Sequence, residues 1–243
     1  MKKIFLLLNI TLLMLQSCSS GDSNTNTITV SDADGNIYQT VTICNQTWTK
    51  SNLNVSKYSD GTPIPQVTDP IAWQNLTTGA WCYNNNDTAN GVVYGKLYNW
   101  YAVAGIYDAA SASNPALRKK LAPTGWHVPT DDQWSILINC LDPNADGGNN
   151  FPNIAGSKLK ESGTSHWIIQ NTDANNISGF TGLPGGYCGT NGTFGNIGYY
   201  GVWWSSSEIL MSALRRDLSN NYSSVGRSGV DKSFGASVRC IKN

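Results

Sequence analysis

Charge and histidine are both scarce in this chain: Asp, Glu, Lys and Arg make up 13% of its 243 residues, and there are two His. The 16 basic and 16 acidic side chains cancel, so no basic face is on offer to nucleic acid. With only His127 and His166 as imidazoles and no Cys-x-x-Cys, neither a structural zinc site nor a Ser-His-Asp triad has much to draw on. A Gly-x-Ser-x-Gly elbow and a phosphate-binding Gly-rich loop are missing too. No apolar run approaches the roughly 20 residues that a membrane-spanning helix requires. What is present is 40% hydrophobic residues, 24 Gly and 9 Trp. That is enough for a packed core and excludes a wholly disordered chain. A polar surface drawn from Asn, Ser and Thr fits an extracytoplasmic β-rich protein better than a cytosolic enzyme.

The N-terminus carries an address. Lys2 and Lys3 precede the apolar run Ile4 to Leu15, then Leu15-Gln16-Ser17-Cys18. A charged start and an apolar run of about 12 residues is the pattern of a secretory signal peptide, here residues 1–17. A Cys placed directly after it resembles a bacterial lipobox, although Gln16 replaces the usual small or branched residue. Cys18 is therefore the expected lipid-attachment site. It would tether the chain to the membrane without spanning it. Residues 18–30 are expected to form the tether, since Ser19 to Thr27 contain no apolar side chain. The expected location is the cell envelope, as an outer-membrane lipoprotein, with either face open.

Beyond Cys18 stand Cys44, Cys82, Cys140, Cys188 and Cys240. An odd number allows at most two disulfides and leaves one thiol over, and spacing does not choose the pairs. None has a His neighbour in sequence to activate it, so buried or paired cysteines are expected rather than a nucleophile.

Periodicity and turn chemistry supply the elements. Ile28 to Val30 and Ile37 to Ile43 flank Asp34-Gly35, which predicts a hairpin. Leu97, Trp100, Tyr101 and Ala104 follow helical spacing, with Gly105 placed to end a first helix. Thr130 and Gln133 form a capping box before Trp134, Leu137, Ile138 and Leu141, which predicts a second helix stopped at Asp142-Pro143. A short helix is expected near Lys158 to Ser162, and strands at 201–206, 213–218 and 236–241. The fold expected from these elements is α+β: two main helices packed on short antiparallel strands with extensive loops, one domain over residues 31–243.

Eight blocks then occur in one order. They are Asp34-Gly35-Asn36-Ile37-Tyr38, Trp48 with Asn52-Leu53-Asn54, Trp81-Cys82-Tyr83, Leu97 to Ala102, Gly125-Trp126-His127-Val128-Pro129, Gly179-Phe180 with Leu183-Pro184-Gly185-Gly186, Trp203-Trp204-Ser205-Ser206, and Ser237-Val238-Arg239-Cys240. The series resembles the Fibrobacter succinogenes major paralogous domain, found in lipoproteins of Bacteroidota and Fibrobacterota. The likeness covers roughly residues 31–243. It departs at Ala122, where many members have Cys before Pro, so a family disulfide through that position is absent and Cys82 or Cys240 is left to find another partner. Cys44 replaces the usual Gly of the first hairpin. The family in turn is similar to the C-type-lectin-like fold of formylglycine-generating enzymes, through the Pro129-Thr130-Asp131-Asp132-Gln133-Trp134 helix start and the terminal Gly235-to-Arg239 strand. That likeness implies a C-type-lectin-like architecture and no particular chemistry.

Functional expectations follow from single features. Trp203-Trp204 fall on successive strand positions, so their rings point to opposite faces. One ring should enter the core and the other is the candidate sugar- or protein-binding surface; packing of both rings in the core is the reading favoured over it, and would point to a purely structural role. Glu208 and Asp217 read as solvated carboxylates rather than a glycosidase pair, and Cys188 and Cys240 lack the close spacing of a copper-binding cysteine pair. Arg215, Arg216, Arg227 and Arg239 are expected in surface ion pairs. Asp142 to Gly147 matches half of a calcium loop but has Asn153 where the bidentate Glu belongs, and reads as a turn. Asp87-Thr88-Ala89 resembles an O-glycosylation motif of Bacteroidota. The expected function is a non-catalytic surface module for a glycan or protein partner, with no cofactor and no metal.

Overall fold

The structure, a computed structural model, describes residues 28–149 and 151–243; the expected signal peptide at 1–17 and the expected lipid-attachment site Cys18 lie outside the described residues. The chain opens with β1 (Thr29–Ser31) and β2 (Ile37–Ile43), joined by the turn at Gly35, whose φ is +85°. Cys44 turns the chain into β3 (Gln46–Thr49). Helix α1 (Pro70–Gln74), β4 (Trp81–Cys82) and α2 (Thr88–Tyr94) lead to β5 (Leu97–Asn99), α3 (Trp100–Val103) and α4 (Ala109–Ser113). Next come β6 (Trp126–His127), α5 (Asp131–Leu141) and α6 (Ala155–Leu159). The last third holds β7 (Tyr187–Cys188) and β8 (Phe194–Gly195), the meander β9 (Tyr200–Ile209), β10 (Ser212–Ser219) and β11 (Val225–Val230), and finally β12 (Gly235–Ala236) and β13 (Ile241–Lys242).

Among the described residues these strands form three sheets, ordered β1-β2-β3-β13-β6, β11-β10-β9 and β4-β5-β12-β7-β8, with antiparallel pairing between the named strands. The expectation of two main helices on strands, with a C-type-lectin-like architecture, is overturned: the molecule is mostly β, with six short helices among the described residues. Only α5, at 11 residues, runs beyond two turns, and it begins at the Thr130–Gln133 capping box as its sequence predicts. The first helix fails for a local reason. Asn99 accepts from both Ala80 N and Ala102 N and donates to Thr78 O, so it caps a helix that starts only at Trp100. Residues 97–99 are thereby held as a strand between β4 and β12. Gly105 does end the turn, with φ +72° and no room for a Cβ, which would fall 1.9 Å from Lys119 O.

Strand β9 separates two cores. Trp203 points into a cluster with Trp48, Trp134, Trp167 and Phe180, and Trp204 into one with Tyr98, Trp100, Trp126 and Phe234. Trp48 and Trp134 have ring centroids 4.7 Å apart, and Phe180 sits edge-on to Trp48, Trp134 and Trp203 at 5.9 Å. A disulfide joins Cys44, after β2, to Cys140 near the end of α5.

Candidate functional site

The tryptophan pair comes first. Trp203 and Trp204 do point to opposite faces, but both faces are core: their exposures are 1% and 0%. Trp203 Nε1 donates to Asn52 Oδ1 at 2.8 Å and Trp204 Nε1 to Tyr98 O at 2.7 Å. Neither ring offers an open face to a sugar, so the candidate ligand surface gives way to the favoured packing of both in the core. The parallel contact with Ser237, where Trp204 N donates to Ser237 O, covers the strand on its free side.

The other sequence candidates resolve individually. Glu208 is ion-paired with Lys232, and Asp217 with Arg215 at 2.6 Å. Glu208 faces Ala213 in the β9–β10 ladder, four residues from Asp217, or roughly 13 Å at about 3.3 Å per residue. Glycosidase carboxylates sit closer, within about 5–9.5 Å. Two of the four arginines are not at the surface. Arg216 is buried against Asp131, which Arg227 also grips at 2.9 Å. Arg239 is buried with no carboxylate partner among the described residues; it donates to Asn52 Oδ1, Thr49 O, Phe180 O and Thr181 O and stacks on Phe180 at 4.4 Å. Burial lowers its guanidinium to about 9. The Asp142 carboxylate accepts from Asn144 N and Ile154 N, as a brace for the turn. Thr88 stands exposed in the first turn of α2, capped by Asp87.

Among the concavities of the described residues, two have mostly apolar linings. One, about 260 Å³, has an apolar floor of Val103, Leu121, Trp126 and Val128 and a rim including Lys120 and His127. Eight of the nine indole N–H groups bond to protein acceptors; among the described residues that of Trp126 does not. The other, about 300 Å³, lies where the 151–154 segment meets the β10–β11 turn, and its wall is aromatic. Phe151 and Tyr222 are 63% and 51% exposed and meet edge-to-face at 5.4 Å. Ile154 and Pro152 extend the apolar wall, while Thr172, Asn221 and Ser223 supply hydroxyl and amide groups at the edge. Ser223 Oγ donates to Asp173; the side chains of Thr172 and Asn221 make no hydrogen bond among the described residues.

Beneath this cleft lies Lys160, fully buried, whose ammonium donates to Thr172 O, Ser219 O and Tyr222 O at 2.8–3.0 Å. It fixes two cleft residues, Thr172 and Tyr222, from below. Burial lowers its ammonium to about 8, with the negative charge of Asp173 acting the other way. Sequence reasoning missed the cleft because its parts are scattered over 151–154, 172 and 221–224 and lie in loops without a period.

A family model described as the Fibrobacter succinogenes major domain matches residues 41–242. The chain belongs to that family. No curated protein and no solved structure matches it. The Fibrobacter succinogenes major domain is recognisable here through residues that build its interior: Asn52, Trp81, Trp100, Trp203 and Arg239 are all buried. Phe151 and Tyr222 lie outside those blocks. The matched span includes the cleft residues as well as the interior ones. Among the described residues of this domain no helix is long and apolar enough to cross a membrane.

Proposed function

We propose that this protein is a lipid-anchored, non-catalytic module of the cell envelope that binds a glycan in the Phe151–Tyr222 cleft. The observation that carries the reading is the exposed pair of aromatic rings bordered by unspent hydroxyl and amide groups. Sugar rings present apolar C–H faces that stack on aromatics and hydroxyls that need hydrogen-bond partners, and this cleft offers both. Support for the envelope location comes from the leader ending at Cys18 and from the Cys44–Cys140 disulfide, which suits an oxidising compartment. A second reading, a structural envelope domain without a ligand, is favoured by one observation: the Trp203–Trp204 pair is spent on the core.

A panel of polysaccharides titrated against the mature protein, with calcium and with chelator, separates the two. Saturable binding that falls at least tenfold in Phe151→Ala and Tyr222→Ala, with melting temperatures near wild type, is the expected result. Binding that survives both substitutions would move the site elsewhere. Absence of binding by the folded protein to every glycan tested would leave the structural reading, or a protein partner, in its place.

A further inference from the structure

The sheet β4-β5-β12-β7-β8 carries a cysteine on two strands that are not neighbours, Cys82 on β4 and Cys188 on β7. Both side chains are nevertheless buried in one small cluster with Trp73, Ala80 and Leu97, packed by Val67, Leu76 and Phe194. The Cys188 thiol donates to Gly189 O at 3.6 Å, and Cys82 and Cys188 are near enough in this cluster for the second thiol to add to the burial that raises the first. Gly235 leaves room for Cys188 and Trp73 in this cluster: it pairs with Cys188, and a Cβ there would fall 2.8 Å from the Cys188 Cβ and 2.9 Å from the Trp73 ring. Every other side chain of the cluster is apolar, so the thiols face neither a base nor a metal-binding partner among the described residues. Cys240 stands apart, buried in a different cluster beside Arg239.

We propose that Cys82 and Cys188 are joined as a second disulfide in the mature protein, interlaced with Cys44–Cys140 and leaving Cys240 as the one thiol of the folded domain. In this apolar pocket the two thiols find one acceptor among the described residues, Gly189 O at 3.6 Å, whereas a disulfide is apolar and suits the site. The oxidant is a protein or small-molecule disulfide of the compartment in which Cys44–Cys140 forms. One cysteine thiolate attacks the oxidant's S–S bond and forms a mixed disulfide, releasing a thiolate. The second cysteine thiolate displaces the remaining oxidant sulfur. Two electrons and two protons end on the oxidant as two thiols, and one S–S bond replaces another. Burial holds the Cys82 thiol well above its ordinary range in the folded molecule. The exchange therefore belongs to the folding chain, before Trp73 and Phe194 cover the pair. The bond would tie β4 directly to β7 across the curled sheet.

Full-length protein, secreted with its own leader and blocked with N-ethylmaleimide without reductant, is unfolded and mapped by peptide mass spectrometry. Molecules with the Cys44–Cys140 bond are scored, because that bond reports that oxidant has acted; any sample lacking it is refolded with oxidised glutathione until it forms. The expected map links the Cys82 and Cys188 peptides and places the alkyl group on Cys240. Alkylated Cys82 and Cys188 in those molecules, or a bond from either to Cys240, would overturn the proposal. A thermal measurement adds an independent arm. Cys82→Ala, Cys188→Ala and the double variant should each lower the melting temperature by roughly 10 °C and by nearly the same amount, because all three remove one bond closing a loop of about 100 residues. Additive losses would show two independent packing residues and sink it.

Discussion

At the scale of single residues, the decisive groups are buried cations whose partners come from distant parts of the chain. Arg239 replaces a charge partner with four oxygens from β3, Asn52 and the Phe180–Thr181 segment, so one guanidinium fork holds three segments together. Arg216 solves the same problem with Asp131, whose carboxylate Arg227 also holds. Burial alone would raise the Asp131 pKa, but the hydrogen bond from Arg227 and the charge of Arg216 more than offset it, and the group sits below its ordinary value. The sign follows directly. Between the folded and unfolded pKa values the unfolded chain binds more protons, so this contribution to stability is complete above about pH 4–5 and is lost as pH falls through the folded value. Asp131→Asn should therefore cost about 3–5 kcal/mol at neutral pH, because Arg216 is left buried without its counter-charge. It should also flatten the acid limb of the urea midpoint plotted against pH. A variant that loses less than 1 kcal/mol, or keeps the wild-type acid limb, would show that the triad is not a stability determinant.

Helix α5 shows at the scale of elements why some of this architecture is legible in sequence and some is not. Its start is written locally: Thr130 Oγ1 accepts from Gln133 N, Gln133 Oε1 accepts from Thr130 N, and the same Oε1 lies 2.9 Å from His127 Nε2. Thr130→Ala should lower stability by about 1 kcal/mol, read as a melting-temperature drop of roughly 2–4 °C, with secondary structure by circular dichroism unchanged. A loss below a few tenths would mean that the Cys44–Cys140 bond and the packing of Trp134, Leu137 and Ile138 hold the helix without its cap. The β1–β2 hairpin and strand β9 were equally readable, through Asp34-Gly35 and through the run Val202-Trp203-Trp204, and β10 stands at 212–219 where a strand was expected at 213–218. Strands β4, β6, β7 and β8 were not, because each has only two residues and two residues carry no period, and the single strand expected at 236–241 is instead the two short strands β12 and β13. Their positions are set by pairings such as Ile241 with Trp48 and His127, across 100 residues or more of chain. The apolar stripe from Leu97 to Ala104 misled for the opposite reason: its spacing is helical, but Asn99 caps in its middle and both halves are buried, so periodicity could not tell strand from helix. The Trp203–Trp204 alternation was readable, and the favoured packing of both rings in the core is what the structure shows, but that they enter two different clusters was not legible in the sequence.

That two-sided strand governs the molecule as a whole. Trp203 and Trp204 are consecutive residues of β9, and each is central to a different core cluster. Other links run in parallel: Trp134 Nε1, from the helix on one side, donates to Trp204 O, and Trp203 Nε1 and Arg239 Nε share Asn52 Oδ1. Neither cluster can lose its packing without releasing the backbone that presents the other, so the clusters should unfold together rather than as separate units. Trp203→Ala and Trp204→Ala provide the test, since each empties one cluster and leaves the other's side chains intact. Each should cost about 3–5 kcal/mol, and in urea the tryptophan fluorescence and far-ultraviolet dichroism of each variant should shift to one common midpoint. The remaining indoles report both clusters, because Trp48 and Trp134 lie on one side of β9 and Trp100 and Trp126 on the other. Two separated transitions in either variant would mean that β9 is a boundary between independently stable halves. A single transition displaced in both probes would mean that it is the shared wall that makes two cores one cooperative domain, and that loops such as the Phe151–Tyr222 cleft can vary on its outside without disturbing it.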